Sequence, residues 1–287
     1  DGQVRQVDAE REPDLFWAIR GGGGNFGVAT RLRFRLHPLG TVVAGMLLLP
    51  ATPEVIEGFV AAAKAAPEEL SAIANIMVAP PMPFMPPEHV GELVVMGLVL
   101  YAGEAQAGER ALAPFRALAT PLADLVRPMP YPEVYKLMEG EPGPAQEVAG
   151  TMFLEAVDRP AAGTIVEHLL ASAAPLAVAQ LRVLGGAMAR VPAQATAFAH
   201  RGSRIMAALG AVYERAEETP VHQAWVDGFG AALHQGDQGA YVNFLTGGDE
   251  DRVRQAYPGA TWDRLVAIKR RYDPGNLFRL NQNIPPT

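Results

Sequence analysis

The chain contains no cysteine, which excludes disulfide bonds, thiol nucleophiles and thiolate-bound metals from these 287 residues. It also has no uninterrupted apolar run of the length that a membrane-spanning helix needs. Its N-terminus has no positively charged start followed by an apolar core, so a signal peptide is not expected. These absences predict a soluble, cytoplasmic protein that does not contact membranes.

An excess of positive charge is lacking as well. The formal net charge is −7, whereas a nucleic-acid partner would require a basic surface. The histidines show no metal-ligand spacing with carboxylates, so no metal site is predicted. The serines at 71, 172 and 203 lie outside any G-x-S-x-G motif, so a serine hydrolase is not expected.

Apolar residues make up 49% of the chain, which is ample material for a packed core. Their periodicity predicts strands at 41–49, 71–79, 92–101, 151–156, 177–184, 204–213 and 240–245, and helices at 52–66, 104–118, 161–172, 220–234, 250–257 and 261–271. The spacing is not that of regular βαβ units, so we predict an α+β domain over residues 41–245, with one sheet covered by helices. Residues 1–40 and 246–287 differ in character and are expected to lie together beside it.

A run of four glycines, Gly21 to Gly24, is the most unusual local feature. A short helix is predicted before it at 12–20, and a half-buried strand after it at 29–36. Glycine allows positive φ and a close approach of the backbone to another molecule. A dinucleotide fold has the opposite order, with a strand before the glycines and a helix after them, so a Rossmann site is disfavoured. A ligand-binding loop and a glycine-rich turn without a ligand both remain open.

The C-terminal stretch from Tyr272 to Ile284 ends a predicted helix at Pro274 and then carries three consecutive amides at 281–283. Amides supply hydrogen-bond donors and acceptors without charge, which suits the edge of a neutral heterocycle. The alternative interpretation is a polar tail.

Several stretches together resemble the berberine bridge enzyme-like FAD-linked oxidases of the vanillyl-alcohol oxidase superfamily. They are Asp14–Gly27, Leu184–Ala187 with Ala195–Arg201, Tyr241–Phe244 and Tyr272–Ile284. The resemblance spans nearly the whole chain in the family's order. It implies that residues 1–40 are the end of a FAD-binding domain, that 41–245 form a substrate-binding domain with an antiparallel sheet, and that 246–287 return to the FAD-binding domain.

The resemblance also implies a set of site residues. Backbone N–H groups of the glycine stretch would reach the cofactor. The implied cofactor-binding residues are Gly21, Gly22, Gly23, Gly24, Asn25, Phe26, Gly27, Val28, Asn243, Asn281 and Asn283. Tyr241 occupies the position of a tyrosine that, in some relatives, helps to take a proton from a substrate hydroxyl. The alternative is that Tyr241 only packs beneath the flavin ring.

One departure from the family weakens any detailed mechanism. The strand after Arg201 carries polar catalytic residues in several relatives, whereas residues 204–211 are almost wholly apolar. Gln180 and Arg182, on one face of the preceding strand, are therefore left as candidates for lining the substrate pocket.

The implied function is that of the C-terminal portion of a FAD-dependent oxidoreductase. It would transfer a hydride from a small-molecule alcohol or amine to the flavin, with O2 as the electron acceptor. In the family, most of the FAD-binding domain precedes the glycine stretch, so we expect a truncated chain whose partner is a missing N-terminal flavin domain. The roughly 80 residues at the two ends are not expected to retain FAD alone. The alternative is a flavin-free pseudoenzyme or small-molecule-binding domain.

Overall fold

The computed structural model describes residues 2–82, 84–137, 146–245, 250–280 and 282–287. Its strands are β1 (Thr41–Pro50), β2 (Leu70–Val78), β3 (Leu93–Tyr101), β4 (Ala123–Asp124), β5 (Arg127–Pro130), β6 (Gln146–Leu154), β7 (Leu176–Val183) and β8 (Ile205–Tyr213). Its α-helices are α1 (Pro13–Ala18), α2 (Pro53–Ala65), α3 (Ala105–Arg116), α4 (Arg159–Leu170), α5 (Gly186–Arg190), α6 (Thr219–Leu233), α7 (Glu250–Ala256) and α8 (Ala260–Tyr272).

The described strands form one sheet in the order β4-β1-β3-β2-β7-β8-β6, and β5 also pairs with β1. Every pairing is antiparallel. Helices α2, α3, α4 and α6 cover one face of this sheet. The predicted α+β fold, an antiparallel sheet covered by helices, is therefore confirmed.

The covering helices begin where their sequences favour a helix start. Thr52 Oγ1 accepts a hydrogen bond from Val55 N at 3.3 Å, and Pro53 occupies the first turn of α2. Asp158 caps α4 in the same way, accepting from Ala161 N at 3.0 Å. Such caps satisfy backbone N–H groups that have no partner inside the helix.

The main core lies between these helices and the sheet. The rings of Phe59 on α2 and Phe115 on α3 meet edge to face, with their centroids 5.0 Å apart, and both are fully buried. From β7, Ala179 and Leu181 point into this core. Because neighbouring side chains on a strand point to opposite faces, Gln180 and Arg182 lie on the face of the sheet that the helices leave open.

A second hydrophobic cluster joins the two ends of the chain. It combines Leu15 and Trp17 from α1 with Tyr257, Leu265 and Ile284 from the C-terminal part. The two ends thus pack together through helices. The division of the chain into residues 1–40, 41–245 and 246–287 stays a prediction.

Two predicted strands were wrong. Residues 29–36 are exposed and make no sheet pairing with any other described segment, although they alternate as a half-buried strand does. Alternation alone does not form a strand, because the backbone N–H and C=O groups need a neighbouring strand to bond. Residues 242–244 form a 3₁₀ turn instead of a strand, closed by a hydrogen bond from Phe244 N to Tyr241 O.

Some elements were not predicted from the sequence. The two short strands β4 and β5 and the five-residue helix α5 are too brief to show a periodic pattern. Strand β6 also begins earlier than the predicted 151–156. Among the described helices, none is both long and apolar enough to cross a membrane.

Candidate functional site

The glycine stretch is held in place by a buried lysine on α8. Lys269 is fully buried, and its Nζ donates to Asn25 O at 2.7 Å, Asp273 Oδ2 at 2.6 Å and Phe278 O at 2.7 Å. A buried ammonium is tolerated only when its donors are satisfied, and here all three are. One side chain therefore ties the loop after the glycines, α8 and the C-terminal segment together.

The partner of this lysine, Asp273, is also well bonded. Its two carboxylate oxygens accept from Leu277 N at 2.9 Å and Phe278 N at 3.0 Å. Burial by itself raises the pKa of Asp273, but the hydrogen bonds from Lys269 and these two amides outweigh it. The pKa of Asp273 is lowered in the folded protein, so the carboxylate is charged at neutral pH.

Asn25 forms the second connection between the two ends. Its Nδ2 donates to Gly22 O and to Gln282 O, both at 3.0 Å, and its Oδ1 accepts from Ile284 N at 2.9 Å. Only 2% of Asn25 is exposed, and Phe26 beside it is buried as well. In this structure both side chains serve packing within the chain, and their contact with a cofactor stays a prediction.

Glycine is required at the start of the stretch by close backbone packing. A Cβ on Gly21 would lie 2.3 Å from Phe198 N, and φ at Gly21 is +129°. A Cβ on Gly22 would lie 2.5 Å from Ala18 O. Gly23 has φ of +68° and is exposed. The first two glycines therefore allow the loop to dock, and the third presents bare backbone to solvent.

The loop borders a cleft of about 390 Å³. The residues that line it are Ile19, Arg20, Gly21, Gly23, Phe198, Tyr241, Val242 and Asn243. Residues from opposite ends of the chain, predicted as site residues from separate motifs, are thus brought together at one place. Gly27 and Val28 are exposed and do not line it, and Asn281 lies outside the described residues.

The position of Tyr241 follows from the sheet beneath it. Its backbone N donates to Thr151 Oγ1 on β6 at 3.2 Å, which fixes the start of the 3₁₀ turn. The Tyr241 hydroxyl accepts a hydrogen bond from Asn243 Nδ2 at 2.8 Å. The rings of Phe198 and Phe244 approach the Tyr241 ring edge to face, at 6.2 and 5.3 Å between centroids. The hydroxyl is therefore oriented by an amide, and the ring by aromatic neighbours.

The predicted substrate residues lie next to this aromatic group. Arg182 places its guanidinium over the Phe244 ring, 5.0 Å from the centroid. Arg182 Nε donates to Gln180 Oε1 at 2.8 Å, and Gln180 Nε2 donates to Asn75 Oδ1 at 2.7 Å. The polar chain on the open sheet face thus leads to the aromatic group at Tyr241.

Two buried polar atoms beside the loop have no hydrogen-bond partner in the part of the chain that the structure describes. They are the Tyr257 hydroxyl and Asn283 Oδ1. A Cβ on Gly23 would lie 3.4 Å from the Tyr257 hydroxyl, so this group lies directly behind the loop. Burial raises the pKa of Tyr257, which keeps it protonated as a donor. Neither residue lines the cleft, and Asn283 is joined to the loop through its neighbours Gln282 and Ile284, which bond to Asn25.

Some site residues were missed from the sequence. Phe198 and Arg20 line the cleft, and Phe244 connects it to Arg182. Arg20 directly precedes the glycines and Phe244 follows Asn243 by one position, so adjacency to predicted residues was the available signal. Phe198 is brought in by the packing of its backbone against Gly21.

A second cleft of about 460 Å³ lies elsewhere, lined by His200, Asp237, Gln238, Gly239, Arg254, Gln255 and Pro258. Burial lowers the pKa of His200 below its ordinary value, although its hydrogen bond to Ala256 O and the charge of Asp237 oppose this. None of the residues predicted as site residues lines this larger cleft. We therefore place the candidate site at the smaller cleft.

Comparison with known proteins gives one family match and several similar proteins. Residues 240–285 match the family model described as berberine and berberine like. A FAD-linked oxidoreductase of Dictyostelium discoideum is 27% identical over 99% of this chain and 61% of its own length. The xylooligosaccharide oxidase of Thermothelomyces thermophilus is 26% identical over 100% of this chain and 61% of its own length. The chain thus spans about three fifths of the length of these relatives.

Solved structures share the fold. The structure of 6-hydroxy-D-nicotine oxidase from Arthrobacter nicotinovorans superposes with a TM-score of 0.83 at 20% identity, covering 100% of this chain and 64% of that one. At this identity the likeness shows the fold alone. The superposition covers the antiparallel sheet, its helices and the packed chain ends.

Proposed function

We propose that the chain belongs to the berberine bridge enzyme-like FAD-linked oxidoreductases and that it forms part of the flavin and substrate site of a FAD-dependent oxidase. The proposed reaction oxidises a small-molecule alcohol or amine, with O2 as the final electron acceptor. The observation that carries the proposal is the cleft that brings Gly21 and Gly23 together with Tyr241 and Asn243. When bound, FAD supplies a two-electron oxidant that accepts a hydride from carbon.

The residues at the cleft fit a flavin. The exposed backbone at Gly23 offers close approach without a side chain in the way, and the buried Tyr257 hydroxyl behind it has no hydrogen-bond partner in the described chain. Asn243, which is exposed, would present its amide to the same ligand. These groups are neutral, as the edge of a neutral ring system requires.

Tyr241 is the proposed proton acceptor for an alcohol substrate. Oxidation of an alcohol removes a hydride from carbon and a proton from oxygen, and a positioned side chain must accept that proton. The hydrogen bond from Asn243 Nδ2 to the Tyr241 hydroxyl fixes the position of this oxygen beside the cleft. Arg182 contacts the Phe244 ring, which in turn packs edge to face against the Tyr241 ring.

We also propose that a further flavin-binding domain supplies the opposite wall of the site. The cleft is bounded on one side by the loop and on the other by the 3₁₀ turn, and it is open to solvent between them. An enzyme must exclude water from the reacting atoms, so a covering element is required for turnover.

The test is reconstitution with FAD followed by turnover. The protein, assembled with the flavin-binding domain proposed to complete its site, is titrated with FAD; the visible flavin absorbance and fluorescence are followed, and O2 consumption is measured with a panel of small alcohols and amines. Tyr241→Phe keeps the ring and removes the hydroxyl, so it is expected to retain FAD affinity while turnover of alcohols falls by about 10²–10⁴-fold.

Two results would contradict the proposal. One is an assembled protein, with the further domain present, that takes up no FAD at any concentration, which would instead favour a flavin-free binding domain. The other is a Tyr241→Phe variant that oxidises alcohols at the wild-type rate. The matched control is Gln238→Ala in the second cleft, which should alter neither FAD binding nor turnover.

A further inference from the structure

We infer that Arg182 binds a carboxylate on the substrate, so that the substrate class is carboxylic acids that also carry the oxidisable alcohol or amine. The inference rests on the proposed function only in calling the ligand a substrate. The evidence for an anion-binding site is independent of it and comes from Arg182. Within the described chain, Arg182 has no carboxylate at salt-bridge distance, and Nε alone among its guanidinium nitrogens makes a hydrogen bond to another residue.

The side chain of Arg182 is held ready for a ligand. Gln180 Oε1 accepts from Nε at 2.8 Å, Gln180 Nε2 donates to Asn75 Oδ1 at 2.7 Å, and Asn75 Nδ2 donates to Met96 O at 3.3 Å. This relay spans three strands of the sheet. It fixes the guanidinium by its inner nitrogen and leaves the two outer nitrogens as a fork, the geometry that accepts a carboxylate with two parallel hydrogen bonds.

Among the residues that the structure describes, no carboxylate forms a salt bridge with Arg182. Its partners across the neighbouring strands are Ile73 on β2 and Met206 on β8, both apolar. The Phe244 ring attracts the cation but cannot accept two hydrogen bonds in the plane of the guanidinium. A half-buried cation beside apolar groups is unfavourable unless an anion joins it.

Other arginines of the chain show the contrast. Arg116 pairs with Asp124 at 2.6 Å, and Arg190 pairs with Glu68 at 2.6 Å. These carboxylates raise the pKa of both guanidinium groups. The pKa of Arg182 is lowered instead, because burial acts on it without a carboxylate to offset the cost.

The same end of the site carries two further cations, Arg20 and Arg201. Arg201 lies 5.4 Å from the Phe198 ring centroid and bonds to Met188 O and Thr196 Oγ1, while its Nε is buried without a partner in the described chain. Arg20 bonds to backbone carbonyls, and its pKa is lowered by burial and by the charge of Arg201. The aromatic group is thus flanked by positive charge, which favours an anionic substrate over a neutral one.

The experiment measures binding without turnover. Benzoate and its neutral counterpart benzyl alcohol are titrated by calorimetry into the wild-type protein, Arg182→Met and Arg182→Lys, in the absence of FAD. We expect benzoate to bind the wild type more tightly than benzyl alcohol, and to lose about tenfold to a hundredfold in affinity in Arg182→Met. Arg182→Lys should recover only part of that loss, because an ammonium lacks the fork.

Two controls separate the inference from misfolding and from the proposed function. Arg190→Met removes an exposed, paired arginine from α5 and should leave benzoate affinity unchanged. Gln180→Met keeps the Arg182 charge but frees its side chain, and an intermediate loss is expected. FAD binding is measured separately, so its failure contradicts only the proposed oxidation.

Three outcomes would overturn the inference. Benzoate and benzyl alcohol could bind the wild type equally well, or benzoate could bind Arg182→Met as tightly as the wild type. In the third, FAD affinity falls in Arg182→Met while benzoate affinity does not, which would assign Arg182 to the cofactor.

Discussion

Replacing Lys269 by methionine should both destabilise the protein and loosen the glycine loop. Methionine has a similar length but cannot donate, so Asn25 O, Asp273 Oδ2 and Phe278 O all lose the donor that Nζ provides at 2.6–2.7 Å. Asp273 keeps its two amide donors, but its charge is left without a counter-ion in a site that is only 6% exposed.

The magnitude follows from the cost of breaking a buried pair. Removing one partner typically destabilises by about 3–5 kcal/mol, since the other charge stays buried and uncompensated. The lost hydrogen bonds to the two carbonyls are part of that figure and are not added to it. Lys269→Met should therefore lower the free energy of unfolding by about 3–5 kcal/mol.

The assay is equilibrium unfolding in urea, followed by far-ultraviolet circular dichroism. Lys64→Met is the matched control, because Lys64 is exposed near the end of α2 and should change stability by less than about 0.5 kcal/mol. Adding Asp273→Leu to Lys269→Met should recover part of the loss by removing the unpaired charge. A loss below about 1 kcal/mol for Lys269→Met would refute the reasoning.

Three further predictions address the loop, the ion pair and the core. Gly21→Ala should destabilise by more than about 1 kcal/mol, because its Cβ would lie 2.3 Å from Phe198 N, whereas Gly163→Ala in open space on α4 should be neutral or slightly stabilising in the same urea assay. Asp273 has a lowered pKa in the folded protein, so its contribution is present above its ordinary value of 3.8 and is lost as pH falls through the folded value. Unfolding measured from about pH 6 to about pH 2 should show this loss, and Asp273→Asn should abolish the pH dependence. Phe59→Ala should cost about 3–5 kcal/mol, since the ring is fully buried against the sheet.

The sheet and its helices were largely predictable because their signals are local. The apolar runs of β2 and β3 and the cap at Thr52 are visible in the sequence and agree with the structure. The strand predicted at 29–36 was wrong because a strand must hydrogen-bond to a second segment, and the alternation of one segment does not show whether such a partner exists. The strand predicted at 240–245 was wrong because a short apolar run fits several conformations, and residues 242–244 form a 3₁₀ turn.

The site was predictable only in part. Separate motifs pointed to the glycine stretch and to Tyr241–Phe244, and the structure places them at one cleft. The sequence could not show that Asn25 is a buried connection, because its role depends on Gln282 and Ile284, far along the chain. Lys269 stands in a run of three cations, 269–271, near the end of a predicted helix, and nothing local shows that it is buried; its burial arises only when the loop after the glycines and the C-terminal segment pack against α8.

The flavin site is tested most directly by hydrogen exchange, with and without FAD, of the protein assembled with the flavin-binding domain proposed to complete its site. We expect FAD to slow exchange at the amides of the segments 21–24 and 241–245, which contribute Gly21, Gly23, Tyr241, Val242 and Asn243 to the cleft. Exchange at residues 237–239, which border the second cleft, should not change. Protection at 237–239 with none at 21–24 or 241–245 would contradict the assignment of the flavin site.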